Sequence, residues 1–367
     1  MKIVCSKSEL LKGLNIASKA VPNKTTMDTL ECIIFDCNEG MIKLIANDMD
    51  LGIETIIPGT IYEKGVIAID SSIIINIVRS FPDSDITIDC DYDYKTVISC
   101  ENSMFNIVAK NTDSFTYLPK YEKSNPIIIS KITLKDAIRK TIFSINEKDS
   151  NKVMSGELFE ITGNNLRVVA LDGHRISINN IKLNALYEDK SIIIPGRTLN
   201  ELTKIIDNEE GDLFIYICDK HIIFEYDDTT VVSRLIEGKY FDINKMLTDN
   251  YDTKITINKK SLIDSINRGL LLINDGNKKP IIMKVNEENI EIGLNSPLGS
   301  LNDVIDISRE GINQIIGFNP KFMVDALRVI DDEEINIYLM NAKSPAFIRD
   351  EENTYIYLVL PVNFNSI

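Results

Sequence analysis

The chain has 367 residues, 44% hydrophobic and 26% charged, with 55 acidic against 40 basic side chains and a net charge of −15. That is the balance of an ordinary globular protein with room for two or three domains. No apolar run approaches the roughly 20 residues that would cross a bilayer, and an acidic total argues against a generally basic nucleic-acid binder. The six cysteines (Cys5, Cys32, Cys37, Cys90, Cys100, Cys218) contain no CxxC pair, and His174 and His221 are the only histidines. A zinc site is therefore not expected, nor any other metal or cofactor, and the cysteines read as buried reduced thiols. The opening MKIVCSKSELLKG is broken by charge almost at once, unlike a signal peptide, so a cytoplasmic location is expected.

In chain order, KIVCSKSELLKGLNIASKAV (2–21) gives a short alternating strand, a polar break and apolar residues at helical spacing, with Leu10 and Leu14 four apart. LECIIFDC (30–37) and MIKLIA (41–46) alternate as strands with one buried face. VIAIDSSIIINIVRSFPDSDITIDC (66–90) predicts a strand, a helix starting at Asp70, a break and a further strand. The polar YLPKYEKSNP (117–126) reads as a linker, and the pattern begins again. IIISKITLKDAIRKTIFSI (127–145) carries Leu134 and Ile138 in the same slots, GELFEI (156–161) and LRVVAL (166–171) predict strands, and IIIPGRTLNELTKIIDNEEGDLFIYIC (192–218) starts its helix at Pro195. After a second linker, MLTDNYDTK (246–254), KITINKKSLIDSINRGLLLI (254–273) brings Leu262 and Ile266, and PIIMKV (280–285) and IEIGL (290–294) are strands. IIGFNPKFMVDALRVIDDEEINIYLM (315–340) then starts a helix at Asn319. The three second-signature helix starts lie 125 and 124 residues apart. That period is too long for a solenoid unit, so each copy holds its own core. Three domains are expected, 1–122, 127–247 and 253–367, each an α+β unit with two helices packed on antiparallel sheet.

Charge is divided unevenly over this repeat. The first-signature helical segments carry +3, +3 and +2 and each of the second set +1, a total of +11 in a chain of −15. If these helices share a side, it is a cation-lined track suited to phosphate backbones; helices that merely solvate Lys and Arg give the same split. The segments lack the interleaved aromatics of a single-strand binder and the Arg/Asn/Gln pattern of a base reader. Their contacts would be with phosphates and indifferent to sequence, which suits holding duplex rather than reading it.

Catalytic motifs are missing: no phosphate-binding glycine loop, no nucleophile elbow, no ligand cluster. The one polar cluster is LDGHR (171–175), with Asp172, His174 and Arg175. It lacks a nucleophile at fixed spacing. It occupies the strand-end turn that reads NDMD in the first copy and NSPL in the third, so a plain polar turn is a far better reading than general acid–base chemistry.

The repeat, the DGHR turn after VVAL, the IIIPGRTLNEL segment, NPKFMVDALRVI and the ending YLVLPV together resemble the β subunit of bacterial DNA polymerase III, the sliding clamp, along the whole chain. The resemblance implies three domains of the DNA-clamp type in a subunit that assembles head to tail as a homodimer. The result would be a six-domain ring with helices lining a hole for double-stranded DNA. It implies a non-enzymatic processivity factor that tethers the polymerase III catalytic subunit, the clamp loader and other clamp-motif proteins. It assigns a peptide-binding cleft to Met154, Leu171, Gly173, His174, Arg175, Ile176, Phe241, Met246, Val359, Leu360, Pro361 and Val362; for Leu360 and Val362 ordinary strand core is the other reading. Candidate DNA contacts are Lys12, Lys19, Lys24, Arg79, Lys135, Arg139, Lys148, Lys152, Arg197, Lys204, Arg268 and Lys321. The subunit interface would pair Phe105 and Ile107 of a first-domain strand with Leu271 and Leu272 of a third-domain helix, leucines that core packing would equally explain. The chain departs from the family's usual residues at Asp28, Phe241 and Asn363, lacks paired aromatics in the 146–152 loop, and extends past the usual end by Asn365, Ser366 and Ile367. These departures motivate the alternative of a paralogue or acidic peptide-binding scaffold that is not loaded on DNA.

Overall fold

The computed structural model describes residues 1–22, 24–119, 121, 123–274 and 279–364. The expected C-terminal extension, 365–367, and the expected end of the first domain at 122 lie outside the described residues.

The first copy runs β1 (Lys2–Ser6), α1 (Lys7–Ala17), β2 (Cys32–Asp36), β3 (Ile42–Asn47), β4 (Leu51–Ile57), β5 (Thr60–Glu63), β6 (Val66–Asp70), α2 (Ser71–Ser80), β7 (Asp85–Cys90), β8 (Lys95–Cys100) and β9 (Ser103–Val108). The second is β10 (Ile127–Ser130), α3 (Lys131–Thr141), β11 (Gly156–Leu171), β12 (Arg175–Pro195), α4 (Gly196–Ile205), β13 (Asp212–Ile217), β14 (His221–Tyr226) and β15 (Thr229–Arg234). The third is β16 (Thr253–Asn258), α5 (Lys259–Leu270), β17 (Ile281–Val285), β18 (Asn289–Ser296), β19 (Gly299–Asp306), β20 (Ser308–Gly311), β21 (Gln314–Phe318), α6 (Pro320–Val329), β22 (Glu334–Leu339), β23 (Ala346–Arg349) and β24 (Tyr355–Val359). The repeat is visible in the chemistry of the helix starts. Ser6 and Asn258 accept the amides of Glu9 and Ser261 at the first helices of copies one and three. Asp70 and Asn319 accept those of Ile73 and Lys321 at the second, where Pro320 also opens α6.

Two corrections concern strands. GELFEI and LRVVAL are one strand, β11, because Gly163 takes a positive φ of 59° inside a bulge and lets the ladder continue instead of turning. A copy also does not build one sheet of its own: its strands divide between two sheets, and two of those sheets are finished by the neighbouring copy. The backbone therefore groups into two compact units, Met1–Leu134 with Asn200–Leu235 and Lys135–Leu199 with Ile236–Ile367, and the middle copy is shared between them.

In the first unit β15 of copy two pairs antiparallel with β4 of copy one, Val231 opposite Ile53, in a sheet ordered β10-β13-β14-β15-β4-β3-β2-β6. A second sheet, β5-β1-β7-β8-β9, ends on β9. Gly13 lets α1 lie close on β3 and β4; a Cβ there would sit 2.5 Å from Ile57 and 2.8 Å from Leu44. In the second unit β24 of copy three pairs with β12 of copy two, Tyr357 opposite Ser177. Its other sheet, β19-β18-β17-β21, ends on β19. The core there is built from Ile255, Leu262, Ile266, Met283, Ile292, Phe318, Leu327 and Tyr357, all buried, with α5 and α6 against the strands.

The first residue of each first-signature helix is a lysine whose charge is spent internally. The Nζ of Lys7 donates to the carbonyl of Phe81, the residue that ends α2. Lys259 donates to that of Ile330, which ends α6, at 2.6 Å. Lys131 is 1% exposed and reaches Asp207, just past α4, and Asp227, both at 2.9 Å. A cation at a helix C-terminus satisfies orphan carbonyls and complements the dipole. Three of the charges counted toward a basic helical surface therefore belong to the packing within each copy.

Candidate functional site

The hairpin joining β11 and β12 is set by Asp172. One carboxylate oxygen accepts the amides of His174 (3.0 Å) and Arg175 (3.2 Å), the other accepts Arg175 Nε at 2.9 Å. Gly173 sits at φ +83° with nothing within 4 Å of where a Cβ would be, which explains the glycine in conformational terms. Arg175, 7% exposed, holds the turn to α6: it donates to Asp325 at 2.8 Å and to the Phe143 carbonyl at 2.5 Å, and its guanidinium lies 4.3 Å from the centre of the Phe322 ring. His174 is exposed, stacks on Phe322 at 6.2 Å, and its carbonyl accepts the amide of Leu360. Asp172 is thus committed to the turn and to Arg175, and His174 faces an aromatic ring rather than a nucleophile. The enzyme reading has no geometry behind it.

Leu171 and Ile176, opposite each other across the hairpin, belong to a buried apolar cluster with Val153, Tyr240, Ile243 and Leu358. Met154, Phe241 and Leu247 pack partly buried on its margin. Val359 is fully buried, while Leu360 and Val362 are 38% and 37% exposed, so ordinary strand core does not account for the last two. Past Pro361 the chain is held by the Val362 amide donating to Gly317. Of the residues expected at a cleft, Met154, Leu171, Ile176 and Phe241 gather in this one cluster beside the 172–175 turn. Met246, the residue that caps the turn of 3₁₀-helix at Ile243–Lys245, is 43% exposed, much as Leu360 and Val362 are, and Leu247 after it packs partly buried on the cluster. Phe143, Phe322 and Asp325 were not anticipated from sequence. The only signal was the Phe–x–x–Asp spacing on one face of NPKFMVDAL.

The first copy does not repeat this cluster among the described residues. At the positions of Leu171, Ile176 and Ile178 it has Asn47, Gly52 and Glu54. Leu118 of the following linker sits so close over Gly52 that a Cβ would lie 1.9 Å away, and Asn47 donates to the Thr116 carbonyl.

The candidate phosphate contacts fall into three groups. Lys12, Lys24, Lys148, Lys152 and Lys321 are exposed and Lys19 half-exposed, and none of the six forms an ion pair among the described residues. Arg79 is exposed and donates to Asn15, while Lys135 is half-buried and Arg197 exposed. Arg139 is paired with Asp136 and Asp331, Lys204 with Glu201 and Arg268 with Asp303. Lys131 and Lys7, counted with them by charge, are the internal caps described above.

Residues 1–119, 128–242 and 244–363 match, in order, the families described as the DNA polymerase III beta subunit N-terminal, central and C-terminal domains. The chain belongs to the DNA polymerase III β-subunit family. It is 28% identical to the beta sliding clamp of Staphylococcus aureus over 373 residues, 99% of each chain. Its fold superposes on the crystal structure of the Bacillus subtilis DNA polymerase sliding clamp with a TM-score of 0.96 and 28% identity over the whole of both chains. A Eubacterium rectale protein assigned as a DNA polymerase III beta subunit gives 0.96 at 56% identity, again over both full lengths. The chain is accordingly a sliding clamp of the processivity-factor type, an accessory subunit without catalysis of its own.

In this clamp the expected interface residues lie on edges. Phe105 and Ile107 are on β9, the last strand of its sheet, with Met104, Phe105 and Val108 exposed and Phe105 edge-on to Phe81 at 5.5 Å. Leu271 and Leu272 stand at the helix end: α5 stops at Leu270, with Leu271 as its cap. Leu271 is 80% exposed, so core packing does not explain it, whereas Leu272 packs on the third-copy core beside the start of β19. Among the described residues no helix is long and apolar enough to cross a membrane.

Proposed function

We propose that two copies of this clamp close head to tail into a ring around double-stranded DNA, and that the groove at residues 171–176 receives short hydrophobic peptides of its partners. One observation carries the ring. The last strand of copy two pairs with the third long strand of copy one (β15 with β4), and the last strand of copy three pairs with its counterpart in copy two (β24 with β12). The last strand of copy one, β9, and the counterpart strand of copy three, β19, each keep one free edge. Bare edges with exposed apolar residues invite pairing, and the same rule applied once more joins β9 of one subunit to β19 of another. The register carries over too. Val231 opposite Ile53 and Tyr357 opposite Ser177 translate to Phe105 opposite Asn302 and Ile107 opposite Ser300 of the second copy.

A ring makes sequence-blind phosphate contacts sufficient, since topology rather than affinity retains the clamp. Lys12, Lys19, Lys24, Lys148, Lys152 and Lys321 are the lysines free to make such contacts. The polymerase III catalytic subunit, the clamp loader and other clamp-motif proteins are the proposed occupants of the groove: an apolar floor of Leu171 and Ile176 with Leu360 and Val362 at the rim suits a short hydrophobic peptide. The proposed domains are 1–122, 127–247 and 253–367. To test this, the protein is loaded on nicked circular DNA with its cognate loader and the DNA is then linearised. A ring is retained on the circle and lost from the ends. A protein that never associates with the circle is an unloaded scaffold instead.

A further inference from the structure

The sheet face that carries the groove changes character along its strands. Leu171, Ile176 and Leu358 stand side by side across β11, β12 and β24, and Val169, Ile178 and Ile356 form the next row. Both rows belong to the apolar cluster or its margin. One step further the rows turn polar: Arg167 pairs with Asn180, whose amide donates to the Thr354 carbonyl, and Asn165 pairs with Lys182. Residues two apart on a strand share a face, and at about 3.3 Å per residue the Arg167 row lies about 13 Å from the Leu171 row. There the surface hollows into a cavity of about 460 Å³ whose lining includes Glu160, Thr162, Asn165, Arg167, Asn180 and Lys182. That is within the size range of ligand sites.

Two cations in this cavity face one carboxylate. Arg167 donates from Nη1 to Asn244 at 2.8 Å and lies 3.5 Å from Glu160, its one carboxylate neighbour among the described residues. Its Nε and Nη2 have no hydrogen-bond partner among those residues. That open edge is the one by which Arg139 and Arg268 grip Asp136 and Asp303. Lys182 is exposed, donates only to Asn165 at 3.3 Å and forms no ion pair among the described residues. The first copy spends the corresponding cation internally, since Lys43, 124 residues earlier, lies 2.6 Å from Glu39 and 3.8 Å from Glu54. In the third copy the position is Ile290. A surplus of positive charge in a hollow on a chain of −15 suits a carboxylate supplied from outside.

We propose that this cavity is a second docking point for partner peptides, specific for an acidic side chain. The apolar anchors of the peptide fill the groove, and an aspartate or glutamate about four extended residues away is taken by the open edge of Arg167, with Lys182 beside it. The proposal rests on the groove reading above.

The test uses a labelled peptide from the cognate polymerase III catalytic subunit that carries the apolar anchors. It is made with two aspartates four and five residues beyond the anchors, at one end or the other, or with two asparagines in the same places. At one of the two ends the aspartate peptide should bind the full-length parent about fivefold more tightly than its asparagine twin at low salt, the scale of a partly exposed ion pair. The ratio should fall close to one near 1 M salt, where the Debye length is about 3 Å. Arg167→Gln should abolish the ratio and Lys182→Gln should roughly halve it; because each ratio is taken within one variant, a general weakening of the groove cancels. Lys182 is exposed, so its variant decides the matter if Arg167→Gln does not fold. Equal binding of the twins to the parent at both ends, or a ratio that survives in both variants, overturns the proposal. A parent that binds neither twin overturns the groove reading and this proposal with it; a parent that binds the twins equally overturns this proposal alone.

Discussion

Replacing Arg175 by methionine is expected to cost about 3–5 kcal/mol, the range for removing one partner of a buried ion pair. The side chain is 7% exposed and makes three hydrogen bonds, to Asp172, Asp325 and the Phe143 carbonyl. Methionine keeps most of the apolar stem between Phe143 and Phe322, so what remains is the loss of charge: two carboxylates, with side chains 11% and 19% exposed, are left without their cation. Lysine should recover less than half, because a single ammonium cannot reproduce the fork that spans Asp172 and Asp325. The assay is urea unfolding followed by circular dichroism, with binding of a fluorescent hydrophobic partner peptide measured in parallel. Peptide affinity should fall with stability, since Leu171 and Ile176 flank the turn that Arg175 fixes. An Arg175→Met chain within about 1 kcal/mol of the parent would refute the reasoning, showing that the desolvation of the guanidinium had cancelled its bonds.

Glu157 is fully buried with neither carboxyl oxygen hydrogen-bonded, and burial pushes its pKa well above the usual value, so the fold favours the protonated form. An unfolded glutamate ionises near pH 4.3, so parent stability should fall as pH rises above that point, by up to about 1.4 kcal/mol per pH unit until the buried group ionises. Glu157→Gln should match the parent near pH 4 and exceed it at pH 7, and a pH-independent difference in urea midpoints would sink this account. Lys259→Met should cost about 1 kcal/mol through the lost cap on α6 without changing the salt dependence of DNA binding. Lys321→Ala, by contrast, should lower the log–log salt slope by about 1 for each phosphate contact removed and leave stability alone; titrations at several salt concentrations separate the two. Ile107→Cys with Ser300→Cys should oxidise to a covalent dimer, since facing residues on antiparallel strands lie about 4.5–5.5 Å apart, and a monomer on non-reducing gels would exclude that register. Leu360→Ala with Val362→Ala should weaken peptide binding about tenfold while solution mass stays that of the parent; a fall in mass would make these rim residues part of the dimer instead.

The threefold repeat was legible because it is written in hydrophobic period and helix starts, both local. The same holds for the 171–175 turn, where Gly173 and Asp172 announce a hairpin. What sequence could not give was pairing at a distance. Nothing local distinguishes Lys131 from Lys135, yet one is buried against carboxylates 76 and 96 residues away and the other is half-buried on the helix. Arg139 reads as a free cation and is paired with Asp331. Met246 and Leu247 are both apolar, and only the structure shows that the first is exposed and the second packs partly buried on the cluster.

The position of β24 has a consequence for biosynthesis. It lies between β23 and β12, and its continuation forms the rim of the groove through Leu360 and Val362. The edge of a hairpin translated in the middle of the chain is therefore left unpaired until the last dozen residues have been made. Under the groove proposed at residues 171–176, the apolar rim is complete only once β24 has paired with β12, so partner recruitment would wait on that one pairing.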